Sequence, residues 1–251
     1  MKSKFLLLFI SLILFSFSCK TIYKVKSENA NYLKVDKRQD VIKSASMDSM
    51  IMPYKIKLDK IMNEVIGNCD GLSIEKPEST LGNWMADALE KNSETFLGKD
   101  VSFAILNHGG IRIKDISSGE VTLSKMYELM PFENYVSFID MDGKSVQTLL
   151  DRIANYGGWP VSKSLRFNIL NNQATNIFID GKPLDPEAKY TIALPDYIAN
   201  GGDDCFFLEP LPKTNTEYLL RDLFISEVKN SKKAGKNIGS AIDGRITILK
   251  N

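Results

Sequence analysis

Residues 101–106, Val-Ser-Phe-Ala-Ile-Leu, are apolar at nearly every position, which marks a buried-type strand and not one that alternates between core and solvent. The strand runs directly into Asn107-His108-Gly109-Gly110. Two successive glycines at a strand end open backbone angles closed to other residues, so Arg112 is expected just beyond a tight turn.

Around this strand the periodicities mix. Residues 54–66 carry Ile56, Leu58, Ile61, Met62, Val65 and Ile66 near a helical period, with Gly67 as a stop. A short apolar stretch at 72–74 precedes a second helix through 81–89, whose start is rich in capping groups. Gly82 near its first turn suggests close approach to a neighbour. Residues 124–130 read as a short helix broken by Pro131, 135–141 as a strand, Asp142-Gly143 as a turn, and 144–156 as a helix. Strands follow at 165–169 and 176–179, then the hairpin pair Asp180-Gly181, a strand at 190–194, a helix at 217–228 and a last strand at 245–249. Helices and strands do not alternate regularly. The expected fold is therefore α+β, a mixed β-sheet flanked by helices, in place of a doubly wound parallel sheet.

The N-terminal end has a different character. Lys2 and Lys4 precede an apolar run, residues 5–17, too short for a comfortable membrane span, so residues 1–19 are expected to be an export signal. A small residue directly before Cys19 resembles the processing site of bacterial lipoproteins, which implies lipidation at Cys19 and an extracytoplasmic protein anchored to a membrane. Residues 20–46 are polar and basic and suit a flexible tether. That assigns residues 47–251 to a single folded domain. Only Cys69 and Cys205 then remain; no closely spaced thiols suit zinc, and two separately packed thiols are the simplest expectation. The 32 Lys and Arg residues nearly cancel the 31 Asp and Glu, and no dense basic block follows the signal, which argues against a nucleic-acid partner.

Two loops concentrate glycine with polar or aromatic side chains, residues 107–112 and 197–204, and a third, residues 131–134, sets an aromatic and polar side chains behind a proline. Their residue types suit a nucleotide. Arg112 offers a fork of donors for phosphate or ribose oxygens. Asp203 is an acceptor suited to ribose hydroxyls, and Phe132 and Tyr197 have flat faces for a base. Each feature alone is equally compatible with a solvated arginine, a core aromatic or a plain turn.

Their order is more specific. Glu78-Ser79-Thr80-Leu81-Gly82-Asn83-Trp84-Met85-Ala86-Asp87-Ala88, Asn107-His108-Gly109-Gly110-Ile111-Arg112, Pro131-Phe132-Glu133-Asn134 and Asp196-Tyr197-Ile198-Ala199-Asn200-Gly201-Gly202-Asp203 together resemble the C-terminal domain of the 5′-nucleotidase family over about residues 55–250. The resemblance implies a domain that holds the nucleoside while a separate N-terminal domain holds two metal ions and cleaves the phosphoester. Phe132 and Tyr197 match the two aromatic positions that stack the base, Tyr197 standing where many members have Phe. Asn107, Arg112 and Asp203 match positions contacting ribose or phosphate, and Asn134 one near the base. Many members carry a further substrate-contacting Arg upstream of the Glu-Ser pair, where the nearest basic residue here is Lys76.

A dinuclear phosphoesterase centre needs several His, Asp and Asn ligands, and this sequence has one histidine, His108. No catalytic residue and no metal ligand is therefore expected in this chain; the resemblance places two divalent metals in a partner domain. His108 reads as a turn residue or a neighbour of the substrate. The leading expectation is a nucleotide-binding half that works with a separate metallophosphatase subunit. The alternatives are a non-catalytic nucleotide-binding lipoprotein and an anchored interaction protein with a degenerate pocket.

Overall fold

A computed structural model describes residues 45–98 and 100–250, leaving aside the side chains of 95–97. The expected signal segment, Cys19 and the tether as far as residue 44 lie outside the described residues. The elements are α1 (Ala45–Met62), β1 (Val65–Cys69), β2 (Leu72–Ser73), α2 (Thr80–Leu97), β3 (Phe103–Ala104), β4 (Asp115–Ile116), β5 (Gly119–Thr122), α3 (Leu123–Leu129) and β6 (Tyr135–Asp142). They continue with α4 (Gly143–Asn155), β7 (Leu165–Leu170), β8 (Gln173–Ile179), β9 (Lys182–Pro183), β10 (Lys189–Pro195), α5 (Asp196–Ala199), β11 (Lys213–Leu219), α6 (Leu220–Lys233) and β12 (Ile246–Ile248). The α+β class with mixed sheets flanked by helices is what the sequence predicts. Among the described residues no helix is long and apolar enough to cross a membrane.

The central sheet has the order β11-β6-β10-β3, with β3 parallel to β10 and β6 antiparallel to both of its neighbours. Its two faces bury different cores because successive side chains point to opposite sides. Ala104, Leu106, Val136, Phe138 and Ala193 face a core filled by Leu81, Met85 and Leu89 of α2, Met126 and Leu129 of α3, and Leu223, Phe224 and Val228 of α6. Phe103, Ile105, Ile139, Met141, Ile192 and Leu194 face a second core. There α4 contributes Val146, Leu149, Leu150 and Ile153, and β7 and β8 of a second sheet, ordered β12-β7-β8-β9, contribute Leu165, Phe167, Ile177 and Ile179. Each such Leu, Ile, Val or Phe contributes roughly 1.5–3 kcal/mol on burial. The unbroken apolar run at 101–106 is thus explained by a strand covered on both faces. Cys69 and Cys205 are both free and buried, one in each core.

Local chemistry sets most element ends. Ser79 caps α2 by accepting a hydrogen bond from the Gly82 amide at 3.0 Å. A Cβ at Gly82 would come 2.9 Å from Pro160 Cγ, so this glycine does permit a close approach. Asp142 and Gly143 form a helix start, not a free turn, with Asp142 accepting from the Ser145 amide at 2.9 Å.

Three expectations need correction. The helix predicted over 54–66 runs from Ala45 to Met62, and Val65 and Ile66 belong to β1. Gly67 lies inside that strand, where a Cβ would fall 2.5 Å from Val228 Cγ1; it admits α6 and does not end a helix. The helix predicted from Glu217 begins at Leu220, because Lys213–Leu219 pairs with β6 as an edge strand.

Candidate functional site

Strand directions bring the three loops singled out in the sequence together. Because β3 and β10 are parallel, both end on the same side of the sheet, and the antiparallel β6 begins on that side. Asn107 follows β3, Asp196 and Tyr197 follow β10, and residues 131–134 lead into β6. Local bonds lock the junctions: the Tyr135 and Tyr197 amides donate to Asp196 Oδ1 at 3.1 and 2.8 Å, and the Leu220 amide donates to the Asn134 carbonyl at 2.9 Å.

Asn107, Gly109, Gly110, Arg112, Phe132, Asn134, Tyr197 and Asp203 line one cleft of about 370 Å³, within the ~300–1,000 Å³ range of small-molecule sites. Six of the seven residues singled out in the sequence therefore share one wall system. Lys76 is not in that lining; its ammonium donates to the Tyr156 carbonyl. A broader, open depression of about 790 Å³ adjoins the cleft through Asn134, Tyr197 and Asp203.

Phe132 is 44% and Tyr197 47% exposed, which leaves ring surface free for a ligand. Buried Arg221 directs Nη1 toward the carbonyls of Met130 and Pro131, the two residues before Phe132, at 3.4 and 3.5 Å and stacks over Tyr127 at 4.3 Å. Sequence reasoning misses Arg221, since a lone arginine in a helix carries no local signal. Arg112 places its guanidinium 5.5 Å from the Phe132 ring centre and donates from Nη1 to the Gly109 carbonyl at 3.3 Å. Tyr197 is braced from behind: a Cβ on Gly202 would lie 2.5–2.6 Å from three of its ring carbons.

The glycines after β3 act differently from expectation. Neither Gly109 nor Gly110 has a positive φ. Their role is space: a Cβ at Gly110 would meet Asn107 Oδ1 at 3.1 Å, and one at Gly109 would meet Asn107 Nδ2 at 3.3 Å. The left-handed conformations fall instead at Gly201, Asp203 and Asp204, with φ of 89°, 50° and 60°.

His108 occupies a short 3-10 turn, as a turn residue should, and its Nε2 is buried without a hydrogen-bond partner. Burial, with the nearby Lys76 charge adding to it, pushes the imidazole down to about 4. The fold thus holds the neutral ring. The unfolded chain takes up this proton near pH ~6.5, so the contribution to stability is complete above that pH and is lost as pH falls toward 4. The wild-type urea midpoint should drop further between pH 7 and 4 than that of His108→Gln, measured by tryptophan fluorescence. Parallel curves for the two proteins would contradict this.

Among the described residues no group of three His, Cys, Asp or Glu side chains could hold a metal ion, and the unpaired His108 nitrogen has no acid beside it. The residues present do not fit a dinuclear centre.

Comparisons with known proteins bear on the fold and the family. Residues 62–209 match the family model described as "5'-nucleotidase, C-terminal domain". The chain is 26% identical over 176 residues to a 5′-nucleotidase of Vibrio parahaemolyticus, covering 66% of this chain and 30% of that protein. It is 26% identical over 237 residues to the cell wall protein Lmo0130 of Listeria monocytogenes, covering 82% and 30%. The crystal structure of a 5′-nucleotidase precursor from Thermus thermophilus superposes with a TM-score of 0.69 at 26% identity, over 81% of this chain and 43% of that one. The chain spans less than half the length of each of these relatives. With a family model matched over more than half its residues, this chain belongs to the 5′-nucleotidase family through its C-terminal domain.

Proposed function

We propose that this chain is the nucleotide-holding half of a 5′-nucleotidase-type phosphohydrolase and serves nucleotide breakdown. The observation that carries the reading is the single cleft formed by Asn107, Arg112, Phe132, Asn134, Tyr197 and Asp203. In this assignment a base stacks against Phe132 and Tyr197, Asn134 meets its edge, Asp203 and Asn107 serve the ribose, and Arg112 serves the phosphate or the ribose oxygens. Phosphoester cleavage is assigned to a separate dinuclear metallophosphatase chain; among the described residues no group of His, Cys, Asp and Glu fits a metal centre. Residues 1–19 would place the protein outside the cytoplasm, lipid-anchored through Cys19.

Titration calorimetry with AMP, adenosine and a sugar nucleotide tests the cleft, and AMP hydrolysis by a candidate metallophosphatase with and without this chain tests the division of labour. Heat on AMP addition and faster hydrolysis in the mixture are expected. Binding without acceleration or complex formation would leave a nucleotide-capturing lipoprotein. Absence of binding by all three ligands would leave an anchored interaction protein.

A further inference from the structure

Stacking requires only the ring of Tyr197, yet its hydroxyl is engaged within the cleft. It donates to Asp203 Oδ1 at 3.1 Å, while Asn107 Nδ2 donates to Asp203 Oδ2 at 2.7 Å. One carboxylate is thus held at both oxygens, one bond coming from the residue after β3 and the other from α5. The carboxylate belongs to a residue in the left-handed region, followed by a second, Asp204, whose side chain accepts from the Tyr156 hydroxyl at 3.1 Å. Aspartate is among the few non-glycine residues that adopt such backbone, because its short polar side chain can hydrogen-bond locally. An ionised carboxylate has about four acceptor sites, which leaves each Asp203 oxygen free to accept from a ligand as well.

We propose that the Tyr197 hydroxyl is a specificity-determining positioning group: together with Asn107 it fixes the Asp203 carboxylate to accept hydrogen bonds from ribose hydroxyls, so that the cleft prefers ribonucleosides to 2′-deoxyribonucleosides. This proposal rests on the nucleoside reading of the cleft. A carboxylate fixed at both oxygens cannot rotate to compensate when one sugar hydroxyl is missing, whereas a carboxylate held at one oxygen turns toward water and loses little. The hydrogen bond to Asp203 also pushes the Tyr197 phenol above its ordinary pKa.

Calorimetric titration of the full chain with adenosine and with 2′-deoxyadenosine, on wild type and Tyr197→Phe, tests the proposal. The wild type should bind adenosine about tenfold more tightly, the order expected for one hydrogen bond to a charged acceptor. Tyr197→Phe keeps the stacking ring, so deoxyadenosine affinity should stay within about twofold while the preference falls to about threefold or less. A ratio of affinities is insensitive to a uniform loss of folded protein. A wild-type ratio near one, an unchanged ratio in Tyr197→Phe, or an equal loss for both ligands overturns the proposal and leaves the nucleoside site standing. If the wild type binds neither nucleoside, both fall together.

Discussion

Replacing Arg245 with methionine should lower the unfolding free energy by about 2–3 kcal/mol, less than the ~3–5 kcal/mol for breaking a fully buried ion pair because Asp87 and Asp243 are each more than a third exposed. Arg245 is 2% exposed, and its guanidinium donates to both Asp87 oxygens at 2.6 and 2.8 Å, to Asp243 Oδ1 at 3.1 Å and to the Val161 carbonyl at 2.9 Å. Burial works against its charge, but the bonds to Asp87 and Asp243 outweigh this and raise its pKa above the usual guanidinium value. Glu78 completes the arrangement by accepting from the amides of Asp243, Gly244 and Arg245 at 2.9, 3.0 and 3.0 Å and from Asn83 Nδ2 at 2.7 Å. Methionine fills much of the volume but leaves the Asp87 and Asp243 carboxylates and the Val161 carbonyl without these donors. Urea unfolding should show a lower midpoint with an unchanged slope, and adding Asp87→Leu should recover part of the loss. A loss under about 1 kcal/mol would mean that water replaces the guanidinium freely.

This network also shows where sequence reading stops. Glu78, Asn83 and Asp87 are legible as part of a motif, and the motif leads to the family. In the fold these polar groups tie α2 and the residues before it to the turn preceding β12, across more than 150 residues of sequence. Asn83 and Asp87 are spaced four apart on one helix, a polar stripe beside an otherwise buried face, and that spacing is the available signal for polar partners elsewhere in the fold. Nothing in the sequence names the Ala241 carbonyl as the partner of Asn83 or Arg245 as the partner of Asp87, because pairing over such a separation is decided by tertiary packing.

The strands follow the same pattern. The segment 101–106 is legible because burial on both faces removes the polar alternation. The edge strand Lys213–Leu219 is not, because its residues are mostly exposed and polar and its neighbour in the sheet is β6 alone among the described residues. The apolar residues of α1 predict an inward face, yet Ile56, Leu58 and Ile61 are exposed. Periodicity reports that a face could be covered and does not report what covers it. The cleft residues are identified one by one from motifs, and their convergence requires the orientations of β3, β6 and β10, which no single sequence segment contains.

Removing both rings of the cleft, Phe132→Ala with Tyr197→Ala, should abolish measurable AMP binding in calorimetry while leaving the thermal midpoint nearly unchanged. Each base–aromatic stack is worth about 1–3 kcal/mol, so two stacks that add weaken binding by roughly 2–6 kcal/mol, or about 30-fold to more than 10⁴-fold. Stability should change little because both rings are roughly half exposed. The two losses are not expected to be independent. Phe132 also supports the Arg112 guanidinium at 5.5 Å, and Tyr197 holds Asp203, so each deletion loosens a polar group as well as a stack. A Phe132→Ala loss greater for AMP than for adenosine would assign Arg112 to the phosphate, and an equal loss would assign it to the ribose oxygens. The Tyr197→Ala variant should lose affinity for both about equally. If the double variant binds AMP as the wild type does, the ligand occupies some other surface, and the cleft of about 370 Å³ is not the nucleotide site.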